Sequence, residues 1–402
     1  MDSFLPHLQW IDSQSALMLQ TLCRWAAINS GTLNLPGLSR LAHDVESEFK
    51  ELGDARFIEV PPVESIDSHG NVSRAALGRV VQIQSRHRGE KRVLLCIHLD
   101  TVYPHDHHFQ TVRQTDADTL HGPGVADAKG GLVVLLTALR AFCRSEYSGK
   151  LGWEVLLVPD EEIGSPGSRP LLIEAAGRSD IGLVFEPALP DGSLVGARKG
   201  SGGFTFVIRG RAAHAGRDFH TGRSAIVAMS RLIARLDESS QKLGGGVTIN
   251  CGQVEGGGAV NVVPDLAIAR FNVRVSDASE MQTVERLLKE TADDIGRDDG
   301  IRVELHGGFA SPPKPLDDRT QRLADRILAC GRELGLNLSL KPSGGTCDGN
   351  KLAAAGLAVI DSVGPVGGEI HSDREFVRIS SLAERAKLVG LFLMRFAMSS
   401  AP

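Results

Sequence analysis

The stretch Gly122-Pro-Gly-Val-Ala-Asp127-Ala-Lys-Gly-Gly131 decides the reading of this chain because of what flanks it. Upstream, the apolar run Val93-Leu-Leu-Cys-Ile97 ends in His98-Leu-Asp100-Thr-Val. Downstream, Val155-Leu-Leu-Val158 is followed by Pro-Asp160-Glu161-Glu162-Ile-Gly164. Short apolar runs bounded by turn signals read as buried parallel strands. In open α/β sheets, ligands bind beyond the carboxyl ends of such strands. This pattern delivers His98, Asp100, Asp127, Glu161 and Glu162 to one rim of one sheet. One imidazole among so many carboxylates points to a divalent metal site. Without a cation, that negative charge would repel itself and raise the carboxylate pKa values.

At 402 residues the chain is long enough for two domains, or for one large domain carrying an insertion. Its 42% hydrophobic and 23% charged residues are those of an ordinary globular protein. A net charge of -5 gives no reason to expect nucleic acid or an anionic membrane as partner. The opening Met1-Asp-Ser-Phe-Leu-Pro does not read as a signal peptide, and no apolar stretch is long enough to span a bilayer. Six scattered cysteines without a Cys-x-x-Cys pair argue against a thiolate metal site and for a reducing compartment. A cytoplasmic location is therefore expected.

Helical spacing is visible over 15–29 and 38–52, and strand-like runs at 56–60 and 80–83 precede the His98 strand. Residues 130–142 read as a buried helix opening just after Asp127. Ile181-Gly-Leu-Val-Phe185 is a further strand, with Glu186 at its carboxyl end. From 203 the pattern changes to strand, helix, strand, strand, helix, strand, ending near 306, which is the order of a ferredoxin-like α+β domain. Gly-rich stretches at 200–203 and 307–308 border it and read as flexible joints. The expected fold is α/β: a catalytic domain with a mixed, mostly parallel sheet flanked by helices, formed by residues 1–199 and 309–402. The ferredoxin-like domain, residues 200–308, is inserted into it as a dimerisation or lid domain.

The ordered set His98-Leu-Asp100, Asp127, Asp160-Glu161-Glu162, Glu186-Pro and Glu369-Ile-His371-Ser resembles the metallopeptidase family of glutamate carboxypeptidases, acetylornithine deacetylase, succinyl-diaminopimelate desuccinylase and aminoacylases. The resemblance extends to Asn29-Ser30-Gly31, Arg211-Ala-Ala-His214-Ala-Gly216 and Asn261-Val-Val-Pro264. It implies two zinc ions per chain, with cobalt or manganese as substitutes: one held by His98, Asp127 and Glu186, the other by Asp127, Glu162 and His371. Asp127 bridges them, and the peptide bond after it is cis. Imidazole nitrogen and carboxylate oxygen are the donors zinc takes. Asp100, two residues along the strand from His98, is expected to hydrogen-bond the imidazole and fix its tautomer. Spacing alone leaves open which of Glu161 and Glu162 is the base; the family pattern makes Glu161 the proton shuttle.

In the insertion, the resemblance implies that His214 steadies the oxyanion, across a homodimer in dimeric members. Asn261 and Arg274 would bind the substrate carboxylate or the oxyanion, and the Gly344-Gly345 loop would supply backbone amides. The implied activity is hydrolysis of an amide next to a free carboxylate in a small peptide or N-acyl amino acid. The details look closest to the glutamate carboxypeptidase branch, with deacylation of an N-acyl amino acid as the alternative. A non-catalytic binding protein would have no need of Glu161. Each residue also has an ordinary reading. Asp160-Glu161-Glu162 could be a solvated turn, Asp127 a helix-start acid, and Arg274 a strand-surface charge. The cluster His105-Asp-His107-His108 lies in a polar loop and is not expected to bind metal.

Overall fold

The apolar runs pair as a sheet because each is buried on both faces; Leu151–Val158 is buried along its whole length. A computed structural model describes residues 2–87 and 89–399. The six-stranded sheet runs in the order Asp54–Ile58, Val80–Gln84, Leu151–Val158, Lys91–His98, Ile181–Val184, Ala358–Ile360. The last four strands are mutually parallel; the first two join antiparallel. Register sets the rim. His98 pairs with Val158 and Cys96 with Val184, so continuing each pairing by two residues brings Asp100 level with Asp160 and Glu186 level with His98.

The chain divides into two compact units. The first comprises Met1–Val63, Ala76–Ala197 and Lys314–Pro402. Its core is sealed by the helices Lys129–Cys143 and Ile379–Met398, which pack on each other and are buried along most of their length. Gly131 lets the first of these approach the Glu186 strand: a Cβ there would lie 2.1 Å from the Phe185 carbonyl oxygen. The helix Leu5–Ser13, with Pro6 in its first turn, precedes the predicted helix, which runs over Ser15–Ala26. A small antiparallel sheet, not foreseen, pairs Gly367–Gly368, Phe376–Arg378, Thr119–His121 and Arg113–Gln114.

The second unit comprises Arg198–Pro313 and a hairpin from the early chain, Glu64–Ala75. Its sheet order is Thr248–Gly256, Leu266–Val275, Gly200–Arg209, Arg302–Ser311, all antiparallel. The helices Ala225–Ser240 and Ala278–Ile295 bury their apolar stripes against one face of it. Ser224 caps the first helix, and an Asp277–Glu280 capping box starts the second. The hairpin, whose short strands are largely exposed, is tied on by Arg209 to the Gly70 carbonyl at 2.7 Å and Arg270 to the Ile66 carbonyl at 2.8 Å.

The glycines read as flexible joints are strand residues. Gly200 pairs with Val275, and Gly203 with both Asn272 and Gly308. Gly307, at φ 98°, would place a Cβ 2.1 Å from the Gly203 carbonyl oxygen, so this ladder closes only without side chains. No helix is long and apolar enough to cross a membrane among the described residues, and the six cysteines are free.

Candidate metal centre

Three strand ends and two loops converge in the first unit. His98 closes its strand almost fully buried, at 1% exposure. Its Nδ1 lies 2.9 Å from the Asp100 carbonyl oxygen, which can only accept, so that nitrogen carries the hydrogen. Nε2 faces Asp127 Oδ1 at 3.0 Å and Glu186 Oε2 at 3.8 Å. The other Asp127 oxygen, Oδ2, faces His371 Nε2 at 3.3 Å, and His371 Nε2 is 3.3 Å from Glu162 Oε2. The two oxygens of Asp127 thus address different histidines. The bond after Asp127 is cis.

Asp100 meets His98 Nδ1 with its backbone carbonyl as the nearer partner, at 2.9 Å, and its carboxylate Oδ1 at 3.5 Å. The carboxylate also accepts from the amides of Glu161 and Glu162 at 3.1 and 3.2 Å and from Thr32 Oγ1 at 2.7 Å. It therefore shapes the short 3-10 turn Glu161–Ile163 that presents the two glutamates. Asp160 is no solvated turn residue. It is fully buried and accepts from the amides of Gly167 at 2.7 Å and Ser168 at 3.1 Å; burial pushes its pKa up to about 6.

The electrostatics of these residues by themselves describe a site that calls for positive charge. Burial, then the charge of Asp127, pushes Glu162 up to about 7. Burial, then the charge of Glu186, pushes Glu161 well above the usual carboxylate range. Burial works against ionised Asp127, yet its bonds to His371 and His98 hold it below its ordinary value. His371, bonded to Asp127 and Glu162, is raised to about 11. Two imidazoles are drawn toward the cationic form by the carboxylates around them, which is the charge a divalent ion would supply. Glu162 Oε1 is buried with no hydrogen-bond partner, and His98, Asp127 and Glu162 hold ligand atoms within 4.8 Å of one another. The residues fit a metal.

Residues 94–395 match the model of peptidase family M20/M25/M40. The chain belongs to this family. It is accordingly a hydrolase of the metallopeptidase class, in a family that uses divalent metals. Among its relatives is carboxypeptidase G2 of Pseudomonas sp. (strain RS-16), 29% identical over 392 residues, covering 95% of this chain and 90% of that one. Another is a succinyl-diaminopimelate desuccinylase of Hahella chejuensis (strain KCTC 2396), 27% identical over 284 residues, covering 67% of this chain and 72% of the relative.

 Among solved structures, an M20 family metallo-carboxypeptidase from Sulfolobus solfataricus has the same fold, with a TM-score of 0.75 at 17% identity, over 95% of this chain and 99% of that one.

The other predicted residues are placed as follows. His214 is exposed in the second unit, and its Nδ1 accepts from the amides of Gly216 at 3.1 Å and Arg217 at 3.2 Å. In the neutral ring the hydrogen is therefore on Nε2, which points a donor outward. Asn261 is its neighbour: the Ala215 amide donates to the Asn261 carbonyl at 2.9 Å. Arg274 is half-buried, with Nε on Asn272 Oδ1 at 3.0 Å and Nη1 buried without a partner. Gly344 and Gly345 lie exposed in the loop before the helix Asp348–Ala354, and the Gly345 amide already donates to Ser343 Oγ at 3.2 Å. His107 and His108 stack on each other in the loop after the His98 strand, and His108 faces Asp373 at 3.5 Å, apart from the metal cluster.

Three buried residues were missed. Lys129 anchors the helix start by donating to the Ile28 carbonyl at 2.7 Å, and burial lowers its pKa to about 7. Glu375 and Tyr103 lie behind Asp127. An acid four residues beyond His371, directly before the strand Phe376–Arg378, was the available signal for Glu375.

Proposed function

We propose that this chain is a di-zinc carboxypeptidase that cleaves an amide bond next to a free carboxylate. The observation that carries this reading is the placement of Asp127, one oxygen toward His98 and Glu186, the other toward His371 and Glu162. That is the donor arrangement a bridging carboxylate needs: His98, Asp127 and Glu186 for one ion, Asp127, Glu162 and His371 for the other. When bound, such ions polarise a carbonyl and make water a stronger nucleophile. Glu161 takes a proton from the attacking water at its carboxylate and delivers it to the leaving nitrogen. Asp100 holds the Glu161–Glu162 turn in place through both amides. His214 offers Nε2–H to the developing oxyanion, and Asn261, Arg274 and the Gly344-Gly345 loop bind the substrate carboxylate.

The long match to carboxypeptidase G2 supports cleavage beside a carboxylate. The match to a succinyl-diaminopimelate desuccinylase supports the second reading, deacylation of an N-acyl amino acid. We place the protein in the cytoplasm as a homodimer joined through the second unit. That unit ends its sheet in the strand Thr248–Gly256 and exposes Phe219, Val227, Val254, Val260 and Val262. A panel of dipeptides and N-acyl amino acids, assayed with zinc-loaded protein, tests the reading. Hydrolysis only of substrates with a free carboxylate next to the amide is expected; equal hydrolysis of the carboxamide analogues would overturn it.

A further inference from the structure

Glu375 takes no part in the chemistry above, yet it is fully buried directly behind the metal cluster. Oε1 accepts from the amides of Ala126 at 2.9 Å and Asp127 at 3.0 Å. Oε2 accepts from the Gly124 amide at 3.0 Å and from the Tyr103 hydroxyl at 2.8 Å. Every group around it is a donor, so an acceptor-only carboxylate satisfies the site, whereas an amide would turn an NH2 toward N–H or O–H. The Tyr103 hydroxyl also lies 2.8 Å from the carbonyl oxygen of Ser372, the residue after His371. His371 and Glu369 have φ of 62° and 53°, left-handed values that side chains with a Cβ rarely adopt and that persist where the surroundings over-determine them. The small sheet sets this up, since Phe376 pairs with His121 and the Gly122 amide donates to the Glu375 carbonyl.

Three segments therefore meet at one buried carboxylate: the loop carrying Asp127, the turn carrying His371, and the chain leaving the His98 strand through Tyr103. We propose that Glu375 and Tyr103 are positioning residues that preset the spacing between Asp127 and His371, so that divalent-ion affinity depends on them. This rests on the metal-site reading above.

The test uses full-length protein stripped of metal, as wild type, Glu375→Gln and Tyr103→Phe. Each is titrated with Co2+ by calorimetry and visible absorption, and each metal-free form is melted by circular dichroism. Wild type is expected to take up two Co2+. Glu375→Gln should bind Co2+ about 10- to 100-fold more weakly at a temperature where its metal-free form is folded. Tyr103→Phe should weaken one of the two binding events several-fold and leave the metal-free melt unchanged. If Glu375→Gln does not fold, Tyr103→Phe decides. Wild-type affinity in a folded variant overturns the positioning role alone. A wild type that binds no Co2+ overturns the metal-site reading beneath it.

Discussion

The two units hold their chemistry-bearing residues in opposite ways. In the first, His98, Asp127 and Glu186 are buried, and backbone amides fix the carboxylates that orient the site. In the second, His214 and Asn261 are exposed, and the His214 ring is oriented by two amides of its own turn. The first arrangement is preorganised, and its cost was met in folding, because parallel strand ends and a buried helix start leave little freedom to these side chains. The second leaves the His214 Nε2 donor at an exposed position. Loss of a buried residue should therefore cost more than loss of an exposed one, unless that residue touches the transition state.

Four variants sharpen this contrast, in order of expected effect. Glu161→Gln should keep the fold and the metals yet lower kcat by about 10²–10⁴, since an amide cannot take the proton; near wild-type turnover in steady-state assays would remove Glu161 from the role. His214→Ala should lower kcat by about 10²–10³ with metal content unchanged. Mixing inactive Glu161→Gln with inactive His214→Ala chains should restore activity if His214 acts across a dimer. No recovery, with subunit exchange confirmed, would put His214 in the same chain's site or outside the mechanism. Val260→Asp places a charge on the exposed surface of the second unit and should shift light-scattering mass toward the monomer; an unchanged dimer mass would move the interface elsewhere. Asp277→Ala removes one half of the capping box and should cost about 1 kcal/mol in denaturant unfolding, with activity intact.

Much of the first unit was legible because its central strands carry apolar runs and the candidate ligands sit at or just past their ends. His98 closes one strand and Glu186 follows the next, while Glu161 and Glu162 sit in the 3-10 turn beyond a third. What was not legible is what hydrogen bonds decide. Glu375 sits among charged residues in Ser372-Asp-Arg-Glu375-Phe, and its place four residues beyond His371 was the one signal setting it apart from a solvated acid. That the Asp100 carboxylate also accepts from the Glu161 and Glu162 amides depends on a turn the sequence does not display. The hairpin Glu64–Ala75 has short, exposed strands without a buried face to betray it. The glycines at 200–203 read as a linker because glycine is poor in strands. Here the tight places are Gly200, where a Cβ would meet Pro313 at 2.8 Å, and Gly307, where it would meet the Gly203 carbonyl oxygen at 2.1 Å.

Under the proposed reading, Asp127 joins two ion sites. Elemental analysis of fully active protein, beside His371→Ala, tests it most directly. Two divalent ions per wild-type chain, and one in His371→Ala, are the predicted result. A fully active wild type with no more than one tightly bound ion per chain would contradict it.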